Sequence, residues 1–360
     1  MRVLITGGAG FVGTHTAGAL TARGHEVVLL DALVPEVHPR YPDDRPPYLD
    51  GDLVVGDVRD AALLDRLLPD VDAVCHLAAL AGLGVDLADM PVYVGYNDLG
   101  TATLLAAMAR AGVPRLVLAS SIAVYGEGRA RCADHGLLPP PPRRPENLAG
   151  GFEPRCPHCG AELAPEPITE DTPAEPLSTY AATKLAQEHL AGAWARVTGG
   201  TAHILRYHHV YGPLMPRDTP YSGVAAVFRA ELAAGRAPRL YEDGRQLRDF
   251  VHVRDVAAAN RLALERDGGT GVETYNIASG EPHTVADLAY ALSGAMDGPE
   301  PVVTGRLCAD RPRHVVASPA RARDGLGYAA TESFAAGMKE FATAPLRDSA
   351  GPAEGRPCRS

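Results

Sequence analysis

Three side chains in two separate segments have the types and spacing of a proton-transfer unit. Ser121 lies in LASSIAVYG, and Tyr180 and Lys184 are four residues apart in STYAATK. Helical spacing puts the tyrosine and the lysine on one face, one turn apart. A nearby ammonium favours the phenolate and would lower the tyrosine pKa from about 10 towards neutrality. Such a tyrosine can take a proton from an alcohol or sugar hydroxyl, so these three residues are candidate catalytic groups. The alternative is a surface lysine beside a half-buried tyrosine.

The first 31 residues predict a dinucleotide site. An apolar strand leads into three evenly spaced glycines, Gly7, Gly10 and Gly13. Helical spacing follows over 14–22, and a second strand over 26–30 ends at Asp31. Glycines let the backbone approach a pyrophosphate, whose charge is stabilised at a helix N-terminus. Asp31 can accept hydrogen bonds from both ribose hydroxyls and would repel a 2′-phosphate, so NAD is expected rather than NADP. A purely structural glycine turn would leave Asp31 unexplained.

The alternation of strands and helices predicts an α/β fold with a doubly wound parallel Rossmann sheet. Further strands are predicted at 53–55, 71–77 and 115–119, with a helix around 97–111 before the last of them. In such sheets ligands bind at the carboxyl ends of the strands. The residues that follow predicted strands are the glycine turn, Asp31, Asp57, Ala78 and Ser121. Their shared position predicts a single site.

The chain resembles the extended short-chain dehydrogenase/reductases, in particular the nucleotide-sugar epimerases and dehydratases. The resemblance extends roughly from Met1 to Phe341. It rests on these segments: TGGAGFVG, GDVRD, HLAAL, LASSIAVYG, YAATK, RYHHVYGP, EDGRQLRDFVHVRD and YNIASGE. It implies that NAD is the cofactor and that the substrate is a nucleotide-diphosphate sugar carrying dTDP, UDP or GDP.

The resemblance also implies roles for individual residues. Asp57 and Val58 would hold the adenine. The residues expected around NAD are Gly7, Gly10, Phe11, Val12, Gly13, Asp31, Asp57, Val58, Leu77, Ala78, Ala79, Tyr180, Lys184 and Tyr207. Arg248 and Arg311 would clamp the diphosphate of the substrate, which suits the bidentate geometry of guanidinium groups. The alternative for each arginine is a surface ion pair.

Departures from the family pattern narrow the expected reaction. Ile122 and Ala123 stand where the dehydratases carry Asp-Glu, and the sugar-acid decarboxylases carry a Glu at the position of Ala123. Both reactions are therefore disfavoured. His209 replaces a family Asn on the diphosphate side of the substrate, which either marks an unusual substrate or keeps the same neutral hydrogen bonds. We count His209 with Ser121 among the expected substrate contacts.

The remaining Ser121, Tyr180 and Lys184 resemble the set of a 4-epimerase. The expected activity is NAD-dependent inversion at C4 of a nucleotide-activated hexose, through a transient 4-keto sugar. One alternative is a 4-keto-sugar reductase or dehydrogenase that uses the same residues and exchanges its cofactor. A second is a non-catalytic NAD-binding regulator, against which the intact proton-transfer set argues.

The segment 129–168 is an insertion with the spacing of a metal site. Two close ligand pairs lie in this Pro-rich stretch, and the four candidate ligands are Cys132, His135, Cys156 and Cys159. This arrangement is typical of structural zinc, and a metal would supply the folding energy that the insertion lacks. Reduced thiols, a Cys156–Cys159 redox pair, or His158 as a substitute ligand are the alternatives. The insertion resembles that of dTDP-L-rhamnose 4-epimerase-like proteins of deoxysugar and antibiotic-sugar pathways. It is expected beside the site mouth, as a lid or a subunit contact.

The length of 360 residues predicts one Rossmann domain and a smaller lobe. The NAD-binding domain is expected at 1–128 and 169–212. The substrate lobe is expected mainly at 213–343, with returns to the Rossmann domain near 248–265. A loose tail is expected at 344–360, where the sequence is rich in Pro, Gly and Ala.

Composition excludes several classes of function. A net charge of −10 disfavours nonspecific nucleic-acid binding. No signal peptide or membrane span is visible and the six cysteines do not form a disulfide framework, so a cytoplasmic protein is expected. By analogy with the family, a homodimer is expected through the helices 97–111 and 180–197.

Overall fold

The computed structural model describes residues 1–35, 37–39, 41, 45–82, 87–145, 148, 151–217, 223–266, 271–308 and 311–347. The strands are β1 (Arg2–Thr6), β2 (Glu26–Asp31), β3 (Asp52–Val55), β4 (Ala73–His76), β5 (Arg115–Ser121), β6 (Ala130–Cys132), β7 (Gly136–Leu138), β8 (Ala164–Pro165), β9 (Thr201–Tyr207), β10 (His209–Tyr211), β11 (Arg239–Leu240), β12 (Leu247–His252), β13 (Gly271–Ile277), β14 (Pro282–Thr284) and β15 (Val302–Val303). The α-helices are α1 (Phe11–Thr21), α2 (Ala61–Leu67), α3 (Met90–Tyr93), α4 (Gly100–Ala111), α5 (Thr179–Thr198), α6 (Val224–Ala233), α7 (Val253–Glu265), α8 (Val285–Ala295), α9 (Ala320–Leu326) and α10 (Phe334–Thr343). In the described part of the chain, no helix has both the length and the hydropathy to cross a bilayer.

Seven parallel strands form the main sheet in the order β13-β9-β5-β4-β1-β2-β3. The predicted doubly wound α/β sheet is therefore confirmed. The chain builds outwards from β1 in both directions, so the loops after β1 and β4 diverge and leave a crevice at the carboxyl edge. The glycine turn follows β1, and Ser121 is the last residue of β5. Both segments thus reach the same edge of the sheet.

A layer of apolar side chains and helices lies on each face of the sheet, so its central strands are buried on both faces. Ile5 and Val117 pack with α1, α7 and α9 on one side, whereas Leu4 and Leu116 pack with α2, α4 and α5 on the other. All four side chains are fully buried. Burying an aliphatic side chain of this size contributes about 1.5–3 kcal/mol, so the sheet and its helices form a rigid platform for the loops at its edge.

A smaller lobe has its own sheet and core. Strands β10, β12 and β14 form a three-stranded sheet, and β11 pairs with β15. Helices α6, α8 and α10 pack around a core that includes Phe228, Leu288 and Phe341. The N-terminus of α8 is fixed by a capping box between Thr284 and Asp287, which satisfies two backbone N–H groups. The chain passes from the Rossmann domain into this lobe at His209, two residues after the end of β9.

The boundary of the small lobe differs from the prediction. Strand β12, expected near the return to the Rossmann domain, belongs to the small sheet, and the return begins with α7, which packs on α1. Strand β13 and helix α9, expected in the small lobe, belong to the Rossmann domain, where Tyr275 pairs with Leu205 of β9. Pairing of an edge strand with a partner 70 residues earlier leaves no local mark in the sequence.

The insertion folds as a three-stranded antiparallel sheet in the order β7-β6-β8. Its core is small and consists of Ala130, Cys132, Cys156 and Leu163, with Leu138 packed against it. Its end is attached to the segment before α9, because Ile168 donates its N–H to the carbonyl of Val316 at 2.9 Å. The insertion therefore contacts the chain segment between the small lobe and α9.

The described part of the expected tail, 344–347, is packed rather than loose. Ala344 and Arg347 are buried. Leu214 donates to the carbonyl of Pro345 at 2.7 Å, and Arg347 donates to that of Met215 at 3.1 Å. These bonds tie the segment to the chain that follows β10. Residues 348–360 lie outside the described chain.

Candidate active site

The structure brings Ser121, Tyr180 and Lys184 together. Ser121 ends β5 and its Oγ accepts a hydrogen bond from the Ala123 N–H at 3.2 Å. Ser178 caps α5 by accepting from the Ala181 N–H at 3.2 Å, which places Tyr180 in the first turn of that helix. The Ser121 hydroxyl lies within hydrogen-bonding reach of the Tyr180 phenol and acts to lower its pKa. The two segments identified from the sequence thus form one unit.

Lys184 is buried beneath this pair. Its Nζ donates to the carbonyl of Ala119 at 3.0 Å and lies 6.0 Å from the centroid of the Tyr180 ring. Burial lowers its pKa to about 8, although the carboxylates of Glu188 and Asp98 act in the opposite direction. The ammonium is therefore anchored to the end of β5 and exchanges its proton near neutral pH.

The pKa of Tyr180 moves opposite to the sequence-based prediction. Burial raises it above the usual value of 10, and the hydrogen bond with Ser121 only partly opposes this. Lys184 was expected to lower the pKa, but its ammonium lies beside the ring and donates to Ala119 instead of the phenolic oxygen. In this structure the phenol is therefore neutral at neutral pH.

A π-helical turn over Val94–Leu99 contributes two polar residues that the sequence analysis gave no role. Asn97 is fully buried; it binds both backbone polar groups of Leu80 and donates to Thr183 Oγ1 at 2.9 Å. Asp98 Oδ1 is buried with no hydrogen-bond partner among the described residues. Burial raises the pKa of Asp98 to about 6, while Lys184 lowers it. The only signal in the sequence was a pair of polar residues at the start of an apolar helix.

A buried network fixes α5 to the sheet. Glu188 accepts from Ser120 of β5 and from Arg206 Nε at 2.9 Å and Nη2 at 2.6 Å. Arg206 also donates to the hydroxyl of Tyr125 at 2.6 Å. These residues come from α5, β5, β9 and the turn that follows β5, which meet only in the folded protein, and sequence reasoning missed them.

The glycine turn has the close contacts that a dinucleotide site needs. Gly7 has φ +70°, and a Cβ there would lie 2.7 Å from the backbone N of Ala78. A Cβ on Gly13 would overlap the carbonyl oxygen of Gly7. Gly10 caps α1 without a side-chain hydrogen bond, so the N–H groups of Phe11 and Val12 have no cap. Uncapped N–H groups at a helix N-terminus are the donors that a diphosphate prefers, so this turn fits NAD.

Asp31 lies at the rim of this turn. Its carboxylate accepts from the N–H groups of Ala9 at 3.0 Å and Leu33 at 2.9 Å. Three further residues, which the sequence analysis did not identify, lie here: His38, Tyr48 and Arg347. His38 Nε2 is 3.6 Å from Asp31, and Arg347 Nη1 donates to the carbonyl of Ala9 at 2.7 Å. Only tertiary folding brings Arg347 to this turn.

The other expected cofactor residues lie around the same edge. Asp57 forms a bidentate pair with Arg59, with contacts of 2.9 Å and 2.6 Å, and this hydrogen bond holds its pKa below the ordinary value. Val58 is buried. Leu77, Ala78 and Ala79 follow β4, and Leu77 donates to the carbonyl of Thr6 at 3.0 Å. Tyr207 donates its hydroxyl proton to Asn260 of α7 at 2.6 Å, which fixes the orientation of its side chain.

The expected substrate residues Arg248, Arg311 and His209 lie on the small-lobe side. Arg248 donates only to backbone carbonyls, and burial lowers its pKa to about 10, with Arg311 and Arg143 acting in the same direction. His209 packs edge-on against Phe250 with a ring-centroid distance of 5.9 Å, and its buried Nδ1 has no hydrogen-bond partner among the described residues. Burial, followed by Arg248, holds the pKa of His209 well below 6.5. His209 is therefore a neutral imidazole beside the arginines.

Four side chains of the insertion converge as expected for a metal site. The ligand atoms of Cys132, His135, Cys156 and Cys159 all lie within 4.8 Å of one another. His135 Nδ1 is 3.5 Å from the sulfur of Cys132 and 3.6 Å from that of Cys156; the sulfurs of Cys132 and Cys159 are 3.6 Å apart. Tetrahedral zinc with Zn–S of about 2.3 Å and Zn–N of about 2.1 Å would set such separations at roughly 3.6–3.8 Å. The donor set therefore fits zinc, which stays a prediction.

The buried ammonium of Lys184 should make stability depend on pH. Its pKa falls from 10.5 to about 8 on folding, so the unfolded chain binds the proton more tightly. Relative to Lys184→Met, the wild-type protein should therefore gain stability as pH rises from 8 to 10.5, by about 3 kcal/mol at most. The measurement is the free energy of unfolding of both proteins in denaturant between pH 7 and 10.5.

The matched control for this experiment is Lys339→Met, because Lys339 is the second of the two lysines in the chain and lies exposed on α10. A difference between wild type and Lys184→Met that stays constant with pH would contradict the assigned burial of the charge.

Comparisons with known proteins agree with this geometry. Residues 3–146 and 158–278 match the NAD dependent epimerase/dehydratase family, and the unmatched stretch between them lies inside the insertion. The chain is 34% identical over 346 residues to a dTDP-L-rhamnose 4-epimerase of Burkholderia thailandensis, covering 95% of this chain and 94% of that protein. It is similar to the structure of the Thermus thermophilus UDP-glucose 4-epimerase in complex with NAD, with a TM-score of 0.71 and 30% identity over 95% of this chain and 98% of that one. It is also similar to the dTDP-glucose 4,6-dehydratase of Streptomyces venezuelae with NAD bound, with a TM-score of 0.73 and 29% identity over 95% and 96% of the two chains. The expected membership is confirmed: this chain belongs to the NAD-dependent epimerase/dehydratase family.

Proposed function

We propose that this protein is a NAD-dependent epimerase that inverts C4 of a nucleotide-activated hexose. The observation that carries the proposal is the joined set of Ser121, Tyr180 and Lys184 at the carboxyl edge of the sheet, opposite a glycine turn that fits NAD. Relatives that share 28–34% identity over most of the chain are named 4-epimerases of dTDP-L-rhamnose or UDP-glucose. A nucleotide-linked deoxysugar, as in antibiotic-sugar pathways, is the substrate class that we infer from the rhamnose-type relative.

Tyr180 and Ser121 would handle the proton of the C4 hydroxyl. Bound NAD supplies a hydride acceptor in the first half of the reaction and a donor in the second, so the net redox change is zero. As a phenolate, Tyr180 would remove the hydroxyl proton as the sugar is oxidised. The phenol formed in this way would return that proton to the 4-keto oxygen after the sugar has turned over. Ser121 would hold that oxygen by a hydrogen bond. The neutral phenol favoured by burial is the form required for the second half.

Lys184 would support both halves. Its pKa of about 8 lets it hold its proton at neutral pH and share it with the site. Its bond to the Ala119 carbonyl keeps the ammonium at the end of β5, 6.0 Å from the centroid of the Tyr180 ring.

Two side chains argue against loss of water from the sugar. Ile122 and Ala123 follow Ser121 directly, and Ile122 is buried. Expelling the C6 hydroxyl needs an acid beside the reacting carbons, and these positions supply only apolar groups. Redox at a single carbinol needs no such acid, which favours epimerisation.

Arg248, Arg311 and His209 are the proposed ligands of the substrate diphosphate. Neither arginine has a carboxylate within ion-pair distance in the described chain, so both cations remain available. Guanidinium groups bind phosphate in a bidentate manner. The free Nδ1 of His209 lies beside Arg248 and offers a neutral hydrogen-bonding group.

We also propose that Cys132, His135, Cys156 and Cys159 hold a structural zinc ion. The support is that all four ligand atoms lie within 4.8 Å of one another, with three of the pairs at 3.5–3.6 Å, together with the small core of the insertion. Four protein ligands would leave no open coordination position, so the ion would stabilise the fold and take no part in the reaction.

A homodimer through α4 and α5 is a further proposal. Both helices expose small apolar side chains at helical spacing, including Ala106 on α4 and Ala182 and Ala193 on α5. Val197, at the end of the α5 face, is 86% exposed in the single chain. Such a face would be covered by a second copy of the same pair of helices.

The function should be visible in product analysis. Purified protein incubated with dTDP-, UDP- and GDP-hexoses should invert C4 of one sugar class with no added cofactor, as followed by NMR. Tyr180→Phe keeps the ring and removes the hydroxyl, so it should lower turnover about 10²–10⁴-fold while leaving the amount of bound NAD unchanged. Turnover that requires added NADH and a 4-keto sugar would make the protein a reductase; full activity of Tyr180→Phe would remove that residue from the mechanism.

The zinc site should be measurable in the purified protein. Elemental analysis should give one zinc per chain, and Cys156→Ser should lower it strongly. Removing the metal should increase protease cleavage first within residues 130–165, because the small core there cannot order the segment alone. Cys75→Ser, at a buried cysteine of β4, is the control. Uniform cleavage along the chain, or no metal in the wild-type protein, would contradict the proposal.

The proposed dimer is tested by sedimentation velocity. Ala106→Glu places a charge on the proposed interface and should shift the protein to monomer. Val227→Glu, at an exposed position of α6, is the control and should not. A wild-type monomer at micromolar concentration would refute the assignment.

A further inference from the structure

The loop 311–313 presents its backbone to one of the proposed substrate arginines. Arg248 Nη1 donates to the carbonyl of Arg313 at 2.8 Å, and Nη2 donates to that of Pro312 at 2.7 Å. Val315 extends the contact by donating to the carbonyl of Leu247 at 3.0 Å. The guanidinium of Arg248 is therefore oriented by this loop, and Arg311 itself lies exposed within it.

A side chain of the insertion holds the same loop from the other side. Arg143 Nη1 donates to the carbonyl of Arg311 at 2.8 Å, and Nη2 donates to Glu242 at 2.6 Å. The side chains of Arg143 and Glu242 are 1% and 0% exposed. This buried ion pair orients the Arg143 guanidinium, whose Nη1 in turn fixes the position of the Arg311 backbone.

A second side chain of the insertion, Glu153, binds the last residue of the loop and the residue that follows it. It accepts from Arg313 Nη2 at 2.6 Å and hydrogen-bonds with His314 Nε2 at 2.7 Å. The Nδ1 of His314 accepts from the N–H of Leu247 at 3.1 Å, directly before Arg248. Burial acts to raise the pKa of Glu153, but the bonds to His314 and Arg313 outweigh it and lower the pKa to about 2. The carboxylate therefore stays ionised.

Some of the guanidinium groups around the loop pair with carboxylates and others do not. The carboxylates of Glu153, Glu242 and Asp243 pair with Arg143 and Arg313. Within the described chain, neither Arg248 nor Arg311 has a carboxylate at ion-pair distance. The three carboxylates are engaged by Arg143 and Arg313, which leaves the other two guanidinium groups for an external anion.

We propose that the 129–168 insertion sets the affinity for the nucleotide diphosphate, with Arg143 and Glu153 as positioning residues for Arg248 and Arg311. This inference rests on the proposed function, since it assumes that these two arginines bind the diphosphate. The insertion is then a support for the substrate loop, which is a narrower role than a lid or a subunit contact.

The same arrangement links the cysteine cluster to the substrate site. Glu153 precedes the turn that carries Cys156, and the flanking backbone is closed by bonds from Leu163 to the Pro154 carbonyl at 2.9 Å and from Cys156 to that of Ala161 at 2.8 Å. Loosening this turn would release Glu153 from Arg313 and His314. Affinity for the diphosphate therefore depends on the integrity of the insertion.

The test is calorimetric binding of dTDP, UDP and GDP to the NAD-containing protein, together with steady-state kinetics. Arg143→Met should raise the Kd of the nucleotide that the wild type binds, and the KM of its sugar, about tenfold. The kcat should stay within about threefold and the NAD content should not change, because the substitution lies away from the proton-transfer residues. Arg131→Met is the matched control, since this exposed arginine of β6 pairs with Glu166.

Glu153→Gln is a second variant for the case in which Arg143→Met does not fold, because it preserves the shape of the side chain and removes only its charge. It should also raise the Kd of the nucleotide, by a smaller factor than Arg143→Met. Wild-type Kd in a folded Arg143→Met or Glu153→Gln protein would overturn the inference, as would an equal effect of Arg131→Met. Absence of nucleotide binding by the wild type would instead refute the proposed function, and with it the inference.

Discussion

The buried carboxylate of Glu188 is the interaction on which the active site depends. It joins α5 to β5 through Ser120 and to β9 through Arg206. Since Tyr180 and Lys184 lie on α5 and Ser121 ends β5, this junction fixes the distance between the two halves of the catalytic set. Removing one partner of a buried ion pair typically costs about 3–5 kcal/mol, because the other charge is left uncompensated. The cost is large enough to hold the helix in one register.

Burial of Tyr180 and Lys184 themselves sets the protonation of the site. It raises the pKa of Tyr180 and lowers that of Lys184, so each group shifts towards its neutral form, although Glu188 opposes the shift of Lys184. In an epimerase the phenolate would take up a proton in the first half of the reaction, and the resulting phenol would return it in the second. Burial favours the neutral phenol, which is the proton donor of the second half.

The loop 311–313, which carries the proposed diphosphate ligand Arg311, is held in a different way. There, Arg143 and Arg313 share the carboxylate of Glu242, and the loop 311–313 is held by carbonyl contacts. The proposed catalytic residues lie on a strand and a helix, whereas the proposed diphosphate ligand Arg311 lies on a loop that the insertion contacts. The small core of that insertion gives a reason for the metal ion that we propose at its cysteine and histidine cluster.

The sequence by itself determined the parts whose chemistry is local. The glycine turn, Asp31, and the spacing of Tyr180 and Lys184 each follow from backbone geometry over a few residues, and the parallel sheet follows from alternating strand and helix patterns. Only the tertiary structure decided the rest, because it depends on contacts between distant segments. The pairing of β13 with β9 in the main sheet joins residues 70 positions apart. Arg347 contacts the glycine turn 338 positions earlier, and Arg143 binds the loop 311–313, 168 positions later. The pKa of Tyr180 belongs to this second group, since burial of a side chain is a property of the whole fold.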